Sequence, residues 1–232
     1  MRKHEPQRRN MSGFTLVELL ITLAIVGFVM VGVTKLMMDI TRTSFITSEK
    51  LDINADVRQF TLEMADNARA ANHFFIYKSM STTDRDEPGD RQRDSKSGDL
   101  LLLVFQEPWP NVNSPDHYTR LVGYFRYPDG NTNVGPVYRF EKRFHDPTLT
   151  VTPPGTSGPF VSTIDSTPEE LIENIPPTGT YPTVVQLSRG LANGKLFFNY
   201  LERTIMIKAE IIHGNEAKWI TDTYNYAVSP RG

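Results

Sequence analysis

Glu18 is the one charged side chain in an apolar run that extends from Phe14 to Val33. A carboxylate at the centre of a bilayer costs roughly 2.5–3.5 kcal/mol. A charge kept in such a run therefore asks for a cationic partner, which is the chemistry of pairing rather than of catalysis. Just before the run stands Gly13, whose missing side chain leaves the backbone accessible to another protein. Elsewhere the chemistry-bearing residues are scattered. The five histidines, at positions 4, 73, 117, 145 and 213, are isolated from one another in sequence. His117 beside Asp116 and Tyr118, and His145 beside Asp146, read as ordinary loop pairings. No H-E-x-x-H, P-loop, G-x-S-x-G or dinucleotide glycine pattern occurs. The chain is read as non-enzymatic, and no catalytic residue, cofactor or metal site is assigned. Trp109, between Pro108 and Pro110, reads as a partner anchor or as packing over a sheet edge.

The element that must position Glu18 is a helix. An apolar run of about twenty residues is long enough to cross a bilayer. The leader before it carries Arg2, Lys3, Arg8 and Arg9 against Glu5. Positive charge beside a span stays in the cytoplasm, so the chain after Val33 is expected to be exported. A cleaved signal peptide would have a shorter apolar core, about 7–15 residues, and a small-residue cleavage pattern after it. Lys35-Leu36-Met37-Met38 stands there instead. A plain uncleaved anchor accounts for the length but not for Glu18 or Gly13.

No proline lies between Gln7 and Glu87, which permits one long helix. Ile53, Val57, Phe60, Met64 and Ala68 recur at three- and four-residue steps and share one face. The helix is expected to end near Ala71-Asn72. Gly27 and Gly32 weaken its apolar half and read as points of close helix–helix contact. The division is then a basic leader 1–13, a transmembrane and assembly helix 14–34, its amphipathic continuation 35–72, and a β-rich part 73–232.

Within that last part, residues 79–99 are polar and charged, and are expected to be a solvated, mobile loop. The acids within 84–90 have a faint calcium-loop spacing, but the D-x-D-x-D-G order is missing and arginines interleave. Leu100–Gln106 is a strand buried on both faces. Leu121–Tyr127 and Val137–Phe144 flank the turn residues Pro128-Asp129-Gly130-Asn131. The stretch 146–182 is a proline-, threonine- and glycine-rich excursion with a short helix, Pro168–Ile175, capped by Thr167. Val184–Leu191 and Lys195–Leu201 flank Asn193-Gly194 as a hairpin. Thr204–Ile212 and Trp219–Val228 complete the strands. The fold class is α+β, a long N-terminal helix packed on an antiparallel sheet. The net charge of −2 gives no reason to expect nucleic acid, and the absence of cysteine excludes disulfide support.

Gly13, Phe14 and Glu18, with Thr15-Leu16-Val17 between them and Leu19-Leu20-Ile21 following, resemble the processing site of the type IV pilin and type II secretion pseudopilin superfamily. The resemblance covers about twenty-five residues, from the basic leader into the apolar run. It implies cleavage between Gly13 and Phe14 by a membrane-embedded prepilin peptidase and N-methylation of Phe14. It also implies a filament register set by pairing Glu18 with the Phe14 amine. The implied partners are other pilin or pseudopilin subunits and an inner-membrane assembly platform. The implied location is the inner membrane, crossed once, with the β-rich part in the periplasm. Size and arrangement are similar to J-type minor pseudopilins, with minor type IV pilins close behind. The alternative from another class is a single-pass protein whose exported domain binds a ligand or acts as a hydrolase.

Overall fold

The computed structural model describes residues 15–108, 116–128, 133–144, 161–215 and 218–231. Helix α1 runs Leu16–Ala70. The chain divides into two compact units, residues 1–48 and residues 49–232.

In the first unit the described residues are all helical from Leu16 onward, and their apolar side chains are exposed except for a half-buried Ile46: Leu16 is 78% accessible and Phe28 86%. By length and composition this helix can cross a membrane. Each of Thr22, Thr34, Thr41, Thr43 and Thr47 returns its hydroxyl to the carbonyl four residues back, at 2.8–2.9 Å. For Thr22 and Thr34, inside the apolar span or at its end, this leaves no hydroxyl in need of water, as lipid requires. The helix is unbroken at Gly27 and Gly32, and a Cβ at either would meet nothing within 4 Å.

In the second unit the remainder of α1 packs on an antiparallel sheet. The strands are β1 His73–Tyr77, β2 Ser97–Gly98, β3 Leu100–Glu107, β4 His117–Arg126, β5 Val134–Arg143, β6 Val161–Ser162, β7 Thr183–Gly190, β8 Phe197–Tyr200, β9 Thr204–Asn215 and β10 Lys218–Val228. They are ordered β1-β3-β4-β5-β7-β9-β8-β2, with β10 on β9 and β6 on β4. The expected α+β architecture is the one observed.

The face read from the sequence is the one buried. Ile53, Phe60, Met64 and Ala68 are buried and Val57 packs beside them, against Leu101, Leu103, Tyr124, Val137 and Ile207. Phe60 meets the Tyr124 ring edge-on at 6.0 Å, a favoured aromatic geometry. Polar groups bordering this contact are paired. Asn67 Nδ2 donates to the Tyr124 hydroxyl at 2.8 Å, Thr61 and Tyr224 share a 2.6 Å bond, and Glu63 takes Arg139 at 2.8 Å. Burial pushes the Tyr124 hydroxyl up to about 12, with the Glu63 charge adding to the rise.

The opposite face carries a second core of Leu100, Leu102, Val104, Leu121, Phe125, Phe140 and Ile172. Two buried faces explain the uninterrupted apolar run of β3. Gly123 lies under the Phe140 ring; a Cβ there would sit 2.1 Å from it. Helix α2, Pro168–Ile172, covers this face. Thr167 caps it as expected, and Glu170 returns the bond to complete a capping box. The helix stops three residues short of Ile175.

The stretch 79–99 is in large part exposed, as a solvated loop would be, but it is anchored: Met80, Arg85 and Asp99 are fully buried. Arg85 donates to the carbonyls of Met80, Ile172 and Ile175 at 3.0, 2.6 and 2.5 Å, satisfying carbonyls at and beyond the end of α2. At the other end of α2, Glu169 Oε1 accepts from the Tyr77 hydroxyl and Arg91 Nε, both at 2.6 Å, and Oε2 accepts from Arg91 Nη2 at 2.8 Å. Two arginines that look solvent-directed in sequence thus clamp α2 onto the sheet.

The Asn193-Gly194 expectation is corrected. The turn forms, with φ of 53° and 74° at the two residues, and Ala192 and Lys195 exchange backbone bonds across it. Yet β7 and β8 do not pair with each other. Both lie on β9, β7 opposite Ile211–Ala209 and β8 opposite Ile207–Thr204. Between them Leu191 N donates to the Lys208 carbonyl at 2.8 Å and Lys208 N to the Leu196 carbonyl at 3.0 Å. Residues 191–196 therefore form a knuckle opposite the single residue Lys208. Asp99 holds it, accepting from Lys195 Nζ at 2.9 Å and Leu196 N at 3.1 Å while paired bidentately with Arg126. Arg126 in turn donates to the Gly194 carbonyl at 2.5 Å. These bonds take the place of the ladder a hairpin would have made.

Candidate functional site

Glu18 sits in the first turn of α1, and its carboxylate closes a capping box with Thr15. Glu18 Oε2 accepts from the Thr15 backbone N–H and from the Thr15 hydroxyl, both at 2.9 Å, while Glu18 N donates to Thr15 Oγ1 at 3.3 Å. This is the reciprocal arrangement in which a Thr and a Glu three residues later satisfy otherwise orphaned helix N–H groups. Both donors reach Oε2; among the described residues none reaches Oε1. The carboxylate is exposed, in a ring of exposed Leu16, Val17, Leu19 and Leu20. The Thr15 hydroxyl is thus satisfied by the Glu18 side chain. The T-x-x-E spacing of Thr15 and Glu18 is a visible helix-start signal that the charge argument passed over.

Gly13 and Phe14 lie outside the described residues. The helix N-terminus is capped at Thr15 and is immediately followed by an exposed apolar helix of membrane-crossing length. Residues 8–34 match the family model described as the prokaryotic N-terminal methylation motif. The chain carries a prepilin-type N-terminus. That match supports the type IV pilin and pseudopilin family, whose members are structural proteins and substrates of prepilin peptidase. With the apolar helix, it points to a membrane-anchored, single-pass protein. No curated protein and no solved structure shows a significant similarity to the chain.

The prepilin-type segment contrasts with the other candidates. The acids of 84–90 are engaged locally rather than converging. Asp84 accepts from Ser79 Oγ at 2.6 Å and from Lys78 Nζ at 3.4 Å. Asp90 accepts from Glu87 N at 3.0 Å in the capping box of the short helix Pro88–Asp90. The Ser79 bond leads in holding the Asp84 carboxyl below its usual range, against the opposing effect of burial. Trp109, His4 and His145 lie outside the described residues. His73 is exposed and His117 buried.

His213 is the residue that sequence reading missed. It is brought beside three acids of α1. Its Nε2 is 3.0 Å from Asp56 Oδ2 and its Nδ1 is 3.9 Å from Glu49 Oε2. One ligand atom each from Glu49, Asp52 and His213 lie within 4.8 Å of one another. No local pattern announces a group whose members are separated by some 157 positions.

Proposed function

We propose that this chain is a minor subunit of a type II secretion pseudopilus or type IV pilus, most similar in size and arrangement to J-type pseudopilins and acting in the tip or initiation complex. It is made as an inner-membrane precursor with the leader in the cytoplasm and the β-rich part in the periplasm. Prepilin peptidase cuts between Gly13 and Phe14 and methylates the new Phe14 amine. Assembly then packs exposed apolar helices side by side with other subunits above an inner-membrane platform.

The observation that carries this reading is the divided use of the Glu18 carboxylate within the methylation motif. Oε2 serves the chain's own helix through Thr15. Oε1 is left for the amine of a neighbouring subunit, which is largely positive near neutral pH. In lipid such a pair is far cheaper than either lone charge. One carboxylate thus both starts a helix and fixes its axial register.

Mass spectrometry of membrane-extracted protein tests the processing step. A mature chain beginning at methylated Phe14 is expected; an intact leader in cells that contain the peptidase sinks the reading. Glu18→Ala should be processed normally yet fail to enter filaments. Its normal incorporation, measured by co-purification with sheared filaments, would remove the register argument while leaving processing untouched.

A further inference from the structure

We propose that Glu49, Asp52 and His213 form a binding site for a divalent cation of the zinc class, with Asp56 as the positioning residue for the imidazole. Glu49 and Asp52 stand three residues apart on α1 and share a face; Asp56 follows one turn later. His213 reaches them from β9. An ionised carboxylate can only accept, so the 3.0 Å contact to Asp56 Oδ2 places a proton on His213 Nε2. In the neutral imidazole this leaves the Nδ1 lone pair facing Glu49 Oε2 at 3.9 Å. That distance is too long for a hydrogen bond, and lone pair and carboxylate repel unless positive charge lies between them.

A metal ion supplies that charge. The arrangement is carboxylate–histidine–metal, in which an outer carboxylate fixes ring orientation and tautomer. The three ligand atoms lie within 4.8 Å of one another. Zinc bonds of about 2.0–2.2 Å require ligands roughly 3.3–3.6 Å apart, so Glu49, at 3.9 Å from His213 Nδ1, and the exposed Asp52 both close in by side-chain rotation. One nitrogen and two carboxylate oxygens suit zinc; calcium prefers six to eight oxygens. A cleft of ≈ 340 Å³ lined by Asp52, Asp56, Gln59, Gln186 and His213 adjoins the site and has room for the water completing the shell. The rival account is an imidazolium held by the acids with no metal. The bound ion would fasten α1 to β9, and the proposal does not depend on the pilin reading.

The test is calorimetric titration of the detergent-solubilised full chain with zinc chloride, magnesium chloride and calcium chloride in turn, alongside thermal melts with and without EDTA. One zinc per chain is expected, with a raised melting temperature that EDTA reverses. Asp56→Asn should weaken zinc binding about 10–100-fold while leaving the melt in EDTA little changed, and His213→Gln should abolish it. Because His213 is part-buried, Asp52→Asn at an exposed position is the second variant, with at least tenfold weaker binding expected. Absence of zinc binding, wild-type affinity in Asp52→Asn, or tighter binding of calcium or magnesium than zinc would each overturn the proposal.

Discussion

Residues 16–48 and residues 49–231 treat the same kinds of side chain in opposite ways. In the first unit leucine, isoleucine, valine and phenylalanine face outward along a helix, and the lone carboxylate of the apolar run has half its oxygens without a donor among the described residues. In the second, apolar side chains close two cores on the two faces of one sheet, and Asp99 and Glu169 take several donors each. A unit that satisfies itself needs no partner to fold. A unit that exposes a continuous apolar surface has its partners outside the chain, in lipid or in copies of similar helices. The contrast separates residues that hold the fold from residues whose contacts lie outside it.

The sharpest way to break this division is Arg126→Ala. It strips Asp99 of its bidentate partner in a fully buried setting and should cost about 3–5 kcal/mol, read as a lowered urea midpoint of the sheet transition. Phe60→Ala comes next, at about 3–4 kcal/mol, since it opens a cavity between α1 and the sheet. An acid-limb effect is smaller. Burial alone would raise the Glu169 carboxyl, but its hydrogen bonds from Arg91 and Tyr77 prevail and hold it below its usual 4.5. A group lowered on folding stabilises above its unfolded value, and that contribution is lost as pH falls through the folded one. Glu169→Gln should therefore flatten the loss of stability below pH 4.5, and an unchanged slope in urea titrations would exclude Glu169 as a source of that loss. Least affected is Phe28→Ala. At 86% exposure it should shift the sheet transition by less than about 0.5 kcal/mol. A shift as large as that of Phe60→Ala would erase the distinction between the two units.

What could be read in the sequence divides along the range of the forces involved. The helix, its buried stripe, the doubly buried strand at Leu100 and the Thr167 cap depend on neighbours within a few residues, and periodicity exposes them. The buried anchors within 79–99 leave no trace in composition, which counts charges without locating their partners. Arg85 finds three carbonyls and Arg91 finds Glu169 from some 78 positions away, contacts that exist only once α2 has docked. The Asn193-Gly194 turn was read correctly as a turn but given the wrong strand neighbours, because a turn fixes local φ and leaves the choice of ladder to tertiary contacts. At the candidate site the charge of Glu18 was conspicuous, while its reciprocal bond with Thr15 was hidden behind the membrane argument. The proximity of His213 to Glu49, Asp52 and Asp56 has no local trace.

The knuckle at 191–196 bears on how the sheet could be engineered. Gly190 faces Ala209 and Phe197 faces Ile207, so one residue in place of the six would sit opposite Lys208 and keep every later pair in step. β7 and β8 thus lie on β9 in the register of one continuous strand, with the knuckle looped out between them. The knuckle makes room for a fork: β5 borders β7 and β2 borders β8. A gene that gained these codons would gain a new sheet neighbour without renumbering the old ones.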